Sequence, residues 1–153
     1  MYGITEYILP GPLAIADSLW TDGPDLLSSL WVTLQVTIAA LILAAATGAG
    51  FAVLLVQSRL LERMLFPYAV FLQVTPIVTI APFIIIWVDD VFVVLLILAW
   101  MAAVFPIISN TLLGLKSADT NSRDLFHLYG ATRSQTIRRL LMPSALPYFL
   151  GGI

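Results

Sequence analysis

The 153-residue chain is 60% hydrophobic and only 10% charged, with a mean hydropathy of +0.99. Soluble domains carry about 25% charged residues, so this chain cannot cover a water-facing surface, and lipid is its expected solvent. A formal net charge of −2 says nothing about nucleic acid, no basic patch large enough for one occurs, and the lack of cysteine excludes disulfides, thiolate catalysis and Cys-based metal sites.

No Lys or Arg precedes Arg59. A secretory signal needs a positive start, so the N-terminus is not expected to be one. Crossing the hydrocarbon core as a helix takes about 20 apolar residues. Three stretches reach that length, from about Leu30 to Val56, Leu65 to Val88 and Val91 to Leu115. No charge falls between Asp25 and Arg59, Arg63 and Asp89, or Asp90 and Lys116. A fourth oily stretch starts near Pro143 and reaches Ile153 after 11 residues, too few to span, so the sequence reads as a piece cut inside a hydrophobic element. The expected fold class is all-α: a polytopic transmembrane bundle of three full spans plus the start of a fourth.

Cations set the orientation. The segment before the first span has none and carries Glu6, Asp17, Asp22 and Asp25. The first connection has Arg59 and Arg63, the second only Asp89 and Asp90. The third, 116–142, has Lys116, Arg123, Arg133, Arg138 and Arg139. This alternation puts residues 1–28 outside as an extracytoplasmic segment. Residues 29–153 form the transmembrane domain, with the 116–142 loop in the cytoplasm.

In the first span Ala40, Ala44 and Gly48 are four apart and share one helix face, where small side chains admit a neighbouring helix. Spans two and three carry Pro67, Pro76, Pro82 and Pro106, each removing a backbone donor. The spans hold no acid, base or histidine, the usual marks of proton relays and ion paths. Neutral groups remain. Gln73, Thr75, Thr79 and Asn110 are candidates to line a passage, or they bond between helices. A sodium site built from backbone carbonyls also stays open. A solute moved uphill would then draw its driving force from another protein.

The 116–142 loop is the only substantial cytoplasmic handle for such a partner. Asp119, Asn121 and Ser122 are candidate caps for a short helix carrying Leu125, Phe126, Leu128 and Tyr129 as an apolar stripe. Gly130 ends it, being free to adopt the left-handed C′ conformation. Thr132 to Gln135 form a T-x-x-Q capping box. Ile137, Leu140 and Leu141 give the second helix an apolar face, with Arg138 and Arg139 at the membrane boundary. On these grounds alone the stripe either lies on lipid or docks into a groove on a soluble partner.

Here the residues resemble the permease subunits of ATP-binding cassette importers. Their loop has the form E-A-A, three residues, G, nine residues, I-x-L-P. This chain has Asp124-Leu125-Phe126, three residues, Gly130, nine residues, then Leu140-Leu141-Met142-Pro143. Leu125-Phe126 in place of Ala-Ala is the largest departure, and it implies a differently shaped cleft on the partner. "YILPGPLAIADSLW", "RLLERMLFPYAVFLQVTPIVTIAPFIIIWV", "FPIISNTLLGLKSAD" and "YGATRSQTIRRLLMPSALPYFLGGI" are similar to the nitrate/sulfonate/taurine branch of that family. Members normally have one helix before this region and two after the loop.

The resemblance implies a coupling loop in which Asp124, Leu125, Phe126 and Tyr129 dock on an ATPase and Gly130 is the turn. Ala131 belongs to the same coupling loop. Thr132 to Leu141, with Arg133 and Leu140, transmit the displacement, and Pro143 with Pro147 start the next helix. It implies ABC ATPase subunits, a second permease subunit and an extracytoplasmic substrate-binding protein as partners, in a bacterial inner membrane. No catalysis, metal or cofactor is expected of the chain itself, ATP being bound by the ATPase: no G-x-x-x-x-G-K-[ST] phosphate loop occurs. The cargo class implied is a small anion or a heterocycle such as a pyrimidine precursor. An ion-coupled or passive secondary carrier and a non-transporting membrane scaffold are the alternatives, and neither requires the spaced loop motif.

Overall fold

The computed structural model describes residues 11–153. Glu6 and the first ten residues of the expected 1–28 segment lie outside them. In chain order the described elements are α1 (Pro12–Thr21), α2 (Gly23–Val56), α3 (Arg59–Val74), α4 (Ile77–Trp87) and α5 (Val91–Lys116). There follow α6 (Thr120–Leu128), α7 (Arg133–Thr136), a π turn (Ile137–Leu141) and α8 (Met142–Gly152). No strand occurs among the described residues, in keeping with the all-α expectation.

The chain divides into two compact units between Gln35 and Val36. In the first, Pro12 opens α1, where its missing N–H costs no helical bond. Asp22 closes α1, donating its N–H to the Ser18 carbonyl. Asp25 then sits in the first turn of α2, where the helix dipole favours an acid. Leu13, Trp20, Leu27 and Trp31 are exposed here, an outward apolar surface suited to lipid.

The second unit is built round α5. From Val36, residues Ala40, Ala44, Gly48 and Ala52 follow at steps of four on α2, and all are buried. A Cβ added to Gly48 would stand 2.9 Å from Ile107 Cγ2 and 3.3 Å from the Val104 carbonyl. The stripe of small residues is therefore where α2 meets α5. The opposite approach is tighter: a Cβ on Gly114 would be 2.8 Å from Ala145 Cα and 2.7 Å from Tyr148 Cβ. Gly152 likewise lies against Ile107 Cα and the Pro106 carbonyl. Ile107, fully buried, is thus held between α2 and α8. Leu55, Ala69, Phe105 and Leu115 extend this core, with Phe66 and Phe105 ring centroids 6.4 Å apart.

Among the described residues, only α2 and α5 are single helices long and apolar enough to cross a membrane. At about 1.5 Å per residue, the 34 residues of α2 and 26 of α5 exceed the roughly 30 Å of hydrocarbon. The second expected span, Leu65 to Val88, is not one helix. It breaks at Thr75-Pro76, which have ψ angles of 121° and 117°. Two β-branched residues, Val74 and Thr75, precede this proline, which pushes the residue before it into extended backbone. Pro67, Pro82 and Pro106 sit inside intact helices. Asp90, one of the two acids of the second connection, is the N-cap of α5, accepting from Phe92 N at 2.8 Å and Val93 N at 3.2 Å.

Candidate functional site: the 116–142 loop

Of the three capping candidates, Asp119 serves: its carboxylate accepts from Ser122 N at 3.1 Å and opens α6. The helix closes in a Schellman motif. Gly130, at φ +68°, donates its N–H to His127 O at 3.0 Å, and Ala131 donates to Phe126 O at 2.9 Å. Thr132 then opens α7 with the expected capping box, Gln135 N to Thr132 Oγ1 at 3.3 Å and Thr132 N to Gln135 Oε1 at 2.8 Å.

The second half departs from expectation. Pro143 and Pro147 do not restart the chain after a loop. Helical structure runs without a break from Arg133 to Gly152. Ahead of Pro143, which has no N–H, the helix widens by one residue, and Met142 N–H bonds to Ile137 O, five residues back. Pro143 takes an early position of α8 and Pro147 lies inside it.

The apolar stripe on α6 is divided. Leu125 is 52% exposed, Leu128 80% and Tyr129 87%, whereas Phe126 is half-buried. Asp124 is exposed. Ala131 and Arg133 line a cleft of about 280 Å³ with Gln57, Arg123, His127 and Ile137. Leu140 is half-buried and Pro143 exposed.

Two arginines fasten this loop to the helix ends. Arg123 Nη2 donates to the Leu115 and Lys116 carbonyls at 2.9 and 3.1 Å, capping the C-terminus of α5. Arg133 Nη1 donates to Gln57 O, just past α2, at 3.3 Å. An ion pair between Lys116 and Glu62 joins the end of α5 to the start of α3. Sequence reading missed these ties. Arg123 near a helix C-terminus was a usable signal, but nothing local announces a pair 54 residues apart.

The neutral groups of the spans behave in two ways. Thr75 Oγ1 donates to Phe71 O at 2.7 Å and Asn110 Nδ2 to Pro106 O at 3.0 Å, both within or at the end of their own helix. Gln73 and Thr79 are exposed. Thr47, not singled out in the sequence, accepts from Trp100 Nε1 at 3.0 Å and so ties α2 to α5.

Residues 39–153 match the family model described as "Binding-protein-dependent transport system inner membrane component". The chain belongs to that family. That family agrees with the resemblance of the loop motif to inner-membrane permeases of ATP-binding cassette importers. It is similar to the formylaminopyrimidine transport permease protein of Halalkalibacterium halodurans, 33% identical over 96% of this chain and 59% of the relative. It is also similar to the riboflavin transport system permease protein of Chloroflexus aurantiacus, 31% identical over 99% of this chain and 57% of the relative. A putative aliphatic sulfonates transport permease protein of Bacillus subtilis is 27% identical over 98% of this chain and 55% of its own. The chain thus spans less than two thirds of the length of each of these relatives.

Proposed function

We propose that this chain is the membrane-embedded, non-catalytic part of an ATP-driven importer, and that α6 is the surface on which an ATPase subunit presses. One observation carries the reading. An α6 with Leu125, Leu128 and Tyr129 open to a partner stands in a loop that Arg123 and Arg133 bind to the ends of α5 and α2. Force on α6 would reach both helices through those bonds. In this reading residues 1–28 face outward, 29–153 form the permease domain, and the 116–142 loop is cytoplasmic, as the cation alternation favours. A second permease subunit and an extracytoplasmic binding protein complete the transporter. The chain itself needs no cofactor, since ATP is bound by the ATPase. The names of the relatives support a small anion or a heterocycle as cargo.

The test is uptake by the full-length permease reconstituted with its ATPase and binding protein. Gly130→Val and Asp124→Lys should stay in the membrane yet lose ATP-dependent uptake. Uptake driven by an ion gradient with no ATPase present would replace this reading with a secondary carrier. Binding of a soluble protein at α6 without any solute flux would replace it with a scaffold. The candidate passage residues Gln73, Thr75, Thr79 and Asn110 can be probed in the same system, because the chain has no cysteine of its own. Single cysteines there should react with water-soluble thiol reagents in one transport state and be protected in the other.

A further inference from the structure

Val56, Arg59, Glu62, Arg63, Lys116 and Arg123 line a cleft of about 470 Å³ where the ends of α2, α3 and α5 come together. Four cations face one carboxylate, and that carboxylate, Glu62, is already paired with Lys116. Arg123 covers the last carbonyls of α5, whose negative pole would otherwise repel an anion. Arg59 and Arg63 are exposed and have no ion-pair partner among the described residues. Standing four apart on α3, they repel each other. They also occupy the first turns of that helix, where the backbone dipole adds positive potential.

The place of the cleft narrows its ligand. It lies where α2 and α5, the two helices among the described residues that are apolar and long enough to cross, both end, the level at which hydrocarbon gives way to headgroups. Each free arginine is followed directly by an exposed apolar side chain, Leu60 after Arg59 and Met64 after Arg63. A cationic row beside an apolar row suits a ligand with a charged head and an oily tail. Guanidinium groups match phosphate oxygens in a bidentate fork, and basic clefts between membrane helices hold such heads.

We propose that this cleft binds a phosphate-bearing anion, and that its source is the headgroup of an anionic phospholipid. The full-length permease is placed in nanodiscs of phosphatidylcholine mixed with a minor fraction of phosphatidylglycerol, and retained lipids are counted by native mass spectrometry. Phosphatidylglycerol should be enriched on the protein over the bulk. Arg59→Gln with Arg63→Gln should lower that enrichment by about tenfold or more, and Arg59→Lys with Arg63→Lys should lower it less, because the charge stays while the bidentate fork is lost. Equal enrichment in the glutamine variant, or none in the natural protein, overturns the proposal. In discs of phosphatidylcholine alone, inorganic phosphate is the second probe. Arginine-dependent phosphate binding there, without phosphatidylglycerol enrichment in the mixed discs, overturns the lipid as occupant.

Discussion

The two halves of the 116–142 loop are both short helices with fitted N-caps, yet they are held in opposite ways. α6 is bounded by Asp119 at one end and the Gly130 turn at the other, and it buries none of its own residues. α7 runs through the π turn into α8, whose Ala145 lies against Gly114 of α5. One half is a pad fixed through its ends and Arg123; the other is the tip of a rod embedded in the core. In the proposed reading, a contact surface that ends at Tyr129 and a transmitting element that starts at Arg133 are thereby separated by three residues, Gly130 to Thr132. Substitutions in the pad should change what binds there, and substitutions in the rod should change whether the bundle forms.

The largest effect is expected where the rod seats on α5. Gly114→Val would put a Cβ 2.8 Å from Ala145 Cα, a backbone neighbour that cannot turn aside. A loss of about 3 kcal/mol or more is expected, read as a fall in the detergent-solubilised melting temperature. At the junction, Gly130→Val meets no neighbour within 4 Å, so its cost is that of a β-branched residue at φ +68°. That should be about 1–2 kcal/mol. A similar loss from Gly130→Ala, on the same melting assay, would confirm backbone strain as the cause. Asp119→Ala removes the cap of α6 and should cost about 1 kcal/mol, seen as faster hydrogen exchange confined to 120–128. The smallest stability change is expected from Leu128→Ala with Tyr129→Ala, within about 0.5 kcal/mol per site. The same pair should abolish co-purification of the ATPase subunit. Retained co-purification would remove the distinction between pad and rod.

Local patterns carried much of this arrangement into the sequence. The T-x-x-Q box, the glycine after an apolar stripe and the four-residue spacing of Ala40, Ala44 and Gly48 each describe a contact within a few residues or along one helix face. They appear in the structure as read. What escaped reading depends on competition between neighbours. Four prolines were equivalent as letters, but only Pro76 follows two β-branched residues, and only there does the helix break. Pro143 looked like a fresh start, whereas a helix can pass a missing donor by widening one turn. Of the apolar stripe, Phe126 is half-buried and Tyr129 exposed, a division set by what packs beside α6 that the stripe alone does not encode. The ties of Arg133 to Gln57 and Lys116 to Glu62 need the whole bundle in place before they have any meaning.

The widened turn at Ile137–Leu141 has a geometric consequence. One surplus residue in a helix of about 3.6 residues per turn offsets everything beyond it by roughly 100° in azimuth. Arg133, which reaches Gln57, and Ala145, which lies against Gly114, therefore stand about 100° from the relative azimuth that a regular α-helix would give them. Ironing that turn back to regular α-helix would swing one of the two faces away from its partner, so the irregularity works as a fixed key between them.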